Sequence, residues 1–113
     1  MEPILKKQVE GKWYNLLKSG KKKYEGRLNK GDFMNLKIGD NIIFYNNDDE
    51  FKVKVIDIIK FINFQEMLEK IGLSNVLPGI DNIQDGIKIY RKYFSEEQEE
   101  KYGVIAIKIS IID

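Results

Sequence analysis

The sequence predicts an α+β fold in which an antiparallel or mixed sheet packs against several short helices. Segments with strand-like and helix-like periodicity follow the order strand, helix, three or more strands, two or three helices, strand. The strands are short and few long helical crossovers join them, which disfavours a doubly wound sheet. The last segment, Val104–Ile112, places isoleucines at every second position from Ile105 to Ile111. That alternation predicts a sheet or barrel wall with one buried and one mostly open face.

The first third of the chain is predicted to form a strand, a helix and a second strand. A short strand is predicted to begin at Pro3–Leu5. Helical spacing of Trp13, Leu16 and Leu17 then predicts a helix over Glu10–Ser19. We interpret Trp13 as a core or rim packing residue rather than a stacking platform, because its apolar neighbours share its helical face. Gly20 would end this helix, and Lys22–Leu28 would form the next strand.

The middle of the chain predicts two more strands. Asn29–Asp32 has the composition of a turn, and Asn41–Tyr45 alternates as a strand. A hairpin loop, Asn46–Asp49, separates it from a long strand over Glu50–Phe61. The alternation of this strand breaks at Ile56–Ile59, which predicts a bulge or burial on both faces.

Three capping patterns predict the helices of the second half, with N-cap residues at Asn63, Asn82 and Ser95. The first helix would end near Gly72, and the second would extend from Ile83 to Phe94. Leu73–Ile80 shows no clear period and is predicted to be a loop. Glu66 fits the capping box of its helix, with a cleft-facing acid as the alternative.

Composition limits the possible functions. The 113 residues form one predicted domain, 1–113, with 42% hydrophobic and 33% charged residues. A net charge of +1 gives no global attraction to nucleic acid or to an anionic membrane. Lysines and Arg27 are concentrated in the first thirty residues, however, so a locally basic face is expected. No signal peptide or membrane-spanning run is recognised, and we expect a cytoplasmic protein, assumed monomeric, with no membrane partner.

The chain contains no histidine and no cysteine. This excludes disulfides, thiol nucleophiles, Ser-His-Asp catalysis and metal centres built on histidine or cysteine. Any general base must be a carboxylate, a lysine or a tyrosine. No cofactor and no metal are expected.

The most informative stretch is Ser19–Arg27, where three lysines precede an alternating segment. An extended chain would place Lys23, Glu25 and Arg27 on one face and Tyr24, Gly26 and Leu28 on the other. Charges of both signs at such a helix-to-strand junction suit a site for a polar ligand. The alternative is a solvated strand face with a weak ion pair across it.

This stretch resembles a known family. Gly20-x-Lys22-x-x-Glu25-x-Arg27 resembles the G-x-K-x-x-E-x-R signature of the ASCH domain, a small member of the PUA-like superfamily. Further blocks resemble the family in order and cover nearly the whole chain: Ile38–Phe44, Leu77–Gly79, Ile89–Tyr93, Glu100 and Gly103–Val104. The resemblance implies a PUA-like small β-barrel, mixed or antiparallel, with helices packed around a cleft. The Glu10–Ser19 and Ile83–Phe94 helices are expected to border that cleft.

The resemblance also implies binding of RNA or a nucleotide-like ligand in a basic cleft. Phosphate contacts would come from Lys21, Lys22, Lys23 and Arg27, and a base would stack on Tyr24, Tyr90 or Tyr93. Lys22, Glu25, Arg27 and Arg91 would read a polar group. We expect Lys22 and Arg27 to be required for binding but not for folding.

Three alternatives remain open at the level of sequence. Some similar ASCH proteins are amidohydrolases of acetylcytidine, with G-x-K-x-x-T-x-R as their motif. Here Glu25 stands in place of the threonine nucleophile, which argues against that activity, and Glu66 or Glu69 matches the assisting acid only loosely. A ribonuclease would use Lys22 as electrophile and Glu25 as base. The third alternative is a protein-interaction domain without catalysis.

Overall fold

Five strands form one mixed sheet that curls into a half-barrel, in a computed structural model that describes residues 5–112. The strands are β1 (Leu5–Gln8), β2 (Tyr24–Leu28), β3 (Asn41–Asn46), β4 (Asp49–Phe61) and β5 (Val104–Ile112). Their order across the sheet is β1-β3-β4-β5-β2, with β1 parallel to β3 and every other pair antiparallel. The predicted α+β class is confirmed. The predicted start of β1 at Pro3 and Ile4 lies outside the described residues.

Five helices pack against this sheet: α1 (Gly11–Lys18), α2 (Phe64–Ile71), α3 (Leu73–Val76), α4 (Ile83–Arg91) and α5 (Glu96–Tyr102). The three predicted N-caps are confirmed, because Asn63, Asn82 and Ser95 each accept a backbone N–H three residues later. Two loop predictions were wrong. Helix α3 occupies the start of the predicted Leu73–Ile80 loop, and a short 3-10 helix over Gly31–Asn35 begins inside the predicted Asn29–Asp32 turn. None of the described helices is long and apolar enough to cross a membrane.

Strand β5 divides the core into two clusters, one on each face of the sheet. Ile105 and Ile107 belong to a cluster with residues of α1, β3 and β4, whereas Val104 and Ala106 pack with residues of α2, α3 and α4. The predicted open face is therefore wrong for the first half of β5, since helices cover it. The predicted break in β4 is confirmed as a register shift between Val55 and Asp57.

The half-barrel has an open seam between its two edge strands. Strands β1 and β2 lie at opposite ends of the sheet order, so neither completes the barrel by pairing with the other. One side chain links the two edges, because Arg27 on β2 donates from Nη2 to the carbonyl of Gln8 on β1 at 3.1 Å. The space beside this link is where the charged residues of β2 collect.

Candidate functional site

A pocket of about 260 Å³ lies at this seam, and we call it the seam pocket. The end of β1, helix α1, the link between α1 and β2, strand β2 and helix α4 all contribute to its wall. Its lining consists of Gln8, Val9, Glu10, Trp13, Lys22, Glu25, Gly26, Arg27, Leu77, Ile89, Tyr90, Tyr93 and Phe94. Both helices that were expected to border a cleft therefore do so. Most of the lining is apolar or aromatic, with a few charged groups converging on it, as in small-molecule sites generally.

The link between α1 and β2 places Lys22 in the wall. Gly20 has a φ of 84°, a left-handed conformation that glycine adopts without steric cost, and this reverses the chain after α1. The N–H of Lys22 then donates to the carbonyl of Leu16 at 2.9 Å, and the N–H of Lys23 donates to the carbonyl of Asn75, also at 2.9 Å. The backbone is thus fixed on both sides, and the Lys22 side chain is directed inward.

Lys22 is a structural cation rather than a free one. Only 2% of the residue is exposed. Its ammonium donates to the carbonyl of Tyr24 at 2.9 Å and to the carbonyl of Val76, and it lies 3.4 Å from Oε1 of Glu25. These contacts use all three ammonium protons. Burial lowers the pKa of Lys22, while the neighbouring Glu25 carboxylate opposes that shift. This burial indicates that Lys22 contributes to stability, and the expectation that folding does not require Lys22 stays a prediction.

Glu25 lies between two cations and is 7% exposed. Its Oε2 accepts from Nε of Arg27 at 3.0 Å and lies 2.9 Å from Nη2, while its Oε1 faces Lys22. Burial favours the neutral acid, but Arg27 and Lys22 outweigh it and hold the pKa of Glu25 below its ordinary value. The interpretation of this strand as a solvated face is wrong, since helices and the β1 end cover it.

Tyr90 carries a buried hydroxyl without a hydrogen-bond partner among residues 5–112. Its ring stacks on Phe64, with centroids 4.1 Å apart and planes 8° apart, so the side chain has little freedom. A Cβ built on Gly26 would approach the Tyr90 hydroxyl to 2.8 Å, which shows that glycine makes room for it. Burial, followed by the charge of Glu25, raises the pKa of Tyr90, so this phenol is neutral at physiological pH.

The opposite wall is aromatic and partly exposed. The hydroxyl of Tyr93 donates to Glu10 at 2.9 Å, and burial together with Glu10 raises the pKa of Tyr93. The Trp13 ring packs against both core clusters and also lines the pocket, with the Lys22 ammonium 5.8 Å from its centroid. Trp13 therefore has the predicted packing role and additionally presents a flat surface to the pocket.

The structure brings five predicted site residues together in the seam pocket: Lys22, Glu25, Arg27, Tyr90 and Tyr93. The others lie elsewhere. Lys21 and Lys23 are exposed, and Tyr24 lies beside the ammonium of Lys108. Arg91 is paired with Glu99 at 3.2 Å in a separate cavity, and Glu66 accepts from the N–H of Ile62 at the start of α2.

Sequence reasoning missed the contribution of β1 and of Phe94, although it included Tyr93 after α4. Gln8, Val9 and Glu10 gave no motif, and they reach β2 because the sheet curls and brings its two edge strands together at the seam. Phe94 was recognised as an apolar helical position, but no periodicity distinguishes a pocket wall from a core. In the part of the chain that the structure describes, no group of three or more acidic residues is arranged to hold a metal ion.

Comparisons with known proteins agree with this architecture. The crystal structure of hypothetical protein PH0355 is 45% identical, with a TM-score of 0.89 over 96% of this chain and 98% of that one. The solution structure of protein PF0455 from Pyrococcus furiosus is 42% identical, with a TM-score of 0.81 over 96% and 97% of the two chains. No curated protein matches this sequence.

A more distant structural neighbour carries the name ASCH in its own name. A variant of ZmASCH from Zymomonas mobilis shares 14% identity and a TM-score of 0.64, over 96% of this chain and 72% of that one. At this identity the likeness concerns the fold alone. The family described as ASCH domain matches residues 8–113, which include every residue that lines the seam pocket. The chain belongs to the ASCH domain family.

Proposed function

We propose that the seam pocket binds a nucleotide-like ligand, either free or within an RNA strand, by receiving one base. The unpaired hydroxyl of Tyr90 carries this proposal, because Tyr90 lines the pocket although it is only 6% exposed, and its buried hydroxyl lies next to Gly26, another residue of the lining. Buried polar groups in native proteins are nearly always hydrogen-bonded. Because Tyr90 lines the seam pocket, we expect its unpaired hydroxyl to form a hydrogen bond with a group of the ligand.

The polar groups around Tyr90 are complementary to the edge of a base. Glu25 offers only acceptors, Arg27 only donors, and the phenol of Tyr90 offers both. An amino group beside a ring nitrogen or carbonyl meets this set, and carboxylates accept from the amino group of cytosine in known complexes. A volume of about 260 Å³ suits one base, since pockets for drug-sized ligands begin at roughly 300 Å³.

The aromatic wall supplies the apolar part of recognition. Trp13 and Tyr93 both line the pocket and both retain exposed ring surface. Stacking of a base on an aromatic side chain contributes roughly 1–3 kcal/mol and depends little on which base it is. Stacking would therefore provide affinity, while Glu25, Arg27 and Tyr90 would select the base.

The geometry favours binding over hydrolysis. The lining of the seam pocket contains no serine, threonine or cysteine. Glu25, which stands in place of the threonine in the amidohydrolase motif, has a lowered pKa and is therefore a weak base. Lys22 has already committed its protons to two carbonyls and to Glu25. A ribonuclease that relied on Lys22 and Glu25 would meet the same obstacles.

Replacement of Tyr90 by phenylalanine tests the proposal. We expect Tyr90→Phe to keep or increase stability, because the lost hydroxyl has no partner in the free protein. Affinity for the ligand should fall about 2- to 10-fold, the range for one hydrogen bond. The measurement is an amide NMR titration with short single-stranded RNA, cytidine and acetylcytidine at low salt, with Tyr45→Phe as control because Tyr45 lies on β3 outside the pocket lining.

The location of the shifts decides the outcome. Shifts at Glu25–Arg27 and Tyr90–Tyr93 that weaken in Tyr90→Phe and persist in Tyr45→Phe support the proposal. Equal affinity of the two variants would contradict it. Loss of the acetyl signal of acetylcytidine during the titration would contradict the proposal of binding without catalysis and would show that the protein is a hydrolase.

A further inference from the structure

A second cavity, of about 320 Å³, opens beside the seam pocket, and we call it the basic groove. Its lining consists of Lys7, Arg27, Leu28, Lys30, Gly31, Asp32, Phe33 and Phe94. It shares Arg27 and Phe94 with the seam pocket. The two cavities therefore adjoin at Arg27 and Phe94.

The groove carries three cations and one carboxylate. Lys7 lies 3.0 Å from Asp32, and this ion pair is partly exposed. Lys30 has no ion pair among residues 5–112, and its ammonium lies 5.2 Å from the centroid of Tyr102. The excess of positive charge is local, since the chain as a whole carries a net charge of only +1.

One aromatic ring arranges two of these cations. Phe33, on the 3-10 helix after β2, has the ammonium of Lys7 at 5.3 Å and the guanidinium of Arg27 at 5.4 Å from its centroid. Cations over an aromatic face are attracted to it, so the ring holds both side chains near the groove. The groove therefore presents its charge in a defined place.

We propose that the basic groove binds the phosphate of the ligand whose base occupies the seam pocket, which makes the ligand a nucleotide or an RNA strand rather than a nucleoside. This inference rests on the proposed function. Phosphate oxygens are bound by lysine as a point charge and by the N–H donors of arginine. In Arg27 these donors are on Nη1, because Nε and Nη2 already contact Glu25 and the carbonyl of Gln8. Lys7, Arg27 and Lys30 would supply these contacts, in place of the exposed Lys21 and Lys23. Phosphate would compete with Asp32 for Lys7.

Two lysine variants of equal charge test the groove. Lys30→Ala removes a groove cation, whereas Lys21→Ala removes an exposed lysine that lies in neither cavity. We expect Lys30→Ala to weaken binding of a nucleoside monophosphate about tenfold, as for a charged hydrogen bond, without changing the affinity for the matching nucleoside. Lys21→Ala should change neither affinity. Asp32→Asn should strengthen monophosphate binding, because it frees Lys7.

The probes are the four nucleosides, their 5′- and 3′-monophosphates and a short single-stranded RNA, titrated at two salt concentrations. If Lys30→Ala lowers the affinity for RNA alone and reduces the slope of log affinity against log salt concentration by about 0.7, the bound phosphate is an internal phosphodiester. If it lowers the affinity for a monophosphate, the ligand is a free nucleotide or a strand end. Two results would contradict the role of the basic groove and leave the proposed function intact. The first is that the monophosphates bind no more tightly than the nucleosides, and the second is that Lys30→Ala and Lys21→Ala lower the affinity for the monophosphate equally. Absence of shifts at the seam pocket with every probe would overturn both.

Discussion

Two charged networks near helix α1 have similarly short contacts but opposite surroundings. In the seam pocket, Glu25 lies 3.4 Å from Lys22 and 2.9 Å from Arg27, and it is buried. At the β3–β4 hairpin, Asp49 accepts from Lys18 and from the Tyr14 hydroxyl, each at 2.7 Å, and its side chain is 57% exposed. The contacts of the exposed network are the shorter ones.

The difference shows that neither distance nor pKa direction identifies a functional site here. The pKa of Asp49 is lowered by its hydrogen bonds to Lys18 and Tyr14, and the pKa of Glu25 is lowered as well. Only burial separates the two carboxylates. Removing a charge from water opposes folding, so a buried network needs every partner, whereas an exposed ion pair contributes little. Loss of a partner should therefore cost more stability in the seam network, and of the two carboxylates only that of Glu25 belongs to a residue of the seam pocket.

The largest expected effect comes from breaking the buried network. Glu25→Ala leaves Lys22 buried without its counterion, and we expect a loss of about 3–5 kcal/mol in the free energy of unfolding. Chemical denaturation measures this change. Asp49→Ala is the matched control, since it also removes a carboxylate with two partners, and it should have a much smaller effect because water replaces the lost contacts. Similar losses in both variants would show that burial does not distinguish the networks.

The space around the buried network gives the second prediction. Gly26→Ala would place a Cβ 2.8 Å from the Tyr90 hydroxyl and 2.8 Å from the Cε of Met67. Met67 can adjust, but Tyr90 is held by its stack on Phe64. We expect a loss of about 1–3 kcal/mol in stability, as for overpacked cores, together with loss of ligand shifts in the NMR titration.

Gly86→Ala is the control for this variant. Its Cβ would meet Leu68 at 2.9 Å and Leu73 at 3.2 Å, both outside the seam pocket, and would approach the pocket only through the flexible end of Leu77, at 3.3 Å. Gly86→Ala should therefore retain ligand binding whatever its effect on stability. If Gly26→Ala binds as well as Gly86→Ala, the position of Tyr90 does not matter for recognition.

Local signals made much of the fold predictable. The N-caps at Asn63, Asn82 and Ser95 follow from side chains that bond to backbone three residues away, so sequence spacing alone reveals them. The bulge in β4 was visible because alternation fails where two apolar residues adjoin. The family signature likewise indicated which residues of β2 meet.

The rest depends on contacts between distant parts of the chain. Nothing in the sequence around Lys22 reveals that the carbonyl of Val76, 54 residues away, accepts its proton. For the same reason the sequence predicts a phosphate contact for Lys22 and does not reveal that the residue is buried. Lys7 was not recognised as a site candidate because it lies on β1, which approaches Arg27 only through the curl of the sheet, and Lys30 was not recognised because the sequence predicted only a turn there. Whether a charged side chain is buried depends on the tertiary structure, and the amino-acid composition does not predict it.

Acid unfolding should show the smallest of these effects and compare the two carboxylates directly. The folded-state pKa of Glu25 lies below the ordinary value of 4.5, so the unfolded chain takes up the proton more readily. The Glu25 carboxylate therefore stabilises the fold above pH 4.5, and this stabilisation is lost as the pH falls through the lowered folded-state pKa. Protonation keeps the side chain in place, so the loss is smaller than in Glu25→Ala.

The measurement is the free energy of unfolding by denaturant between about pH 6 and pH 3, in the wild type, Glu25→Gln and Asp49→Asn. Glu25→Gln cannot lose a charge at this position, so its stability should fall less steeply with acid than that of the wild type. Asp49→Asn should flatten the curve less, and added salt should remove much of its remaining effect because the pair is exposed. If Asp49→Asn flattens the curve as much as Glu25→Gln, exposed and buried carboxylates contribute equally, and burial loses its value as the marker of the site.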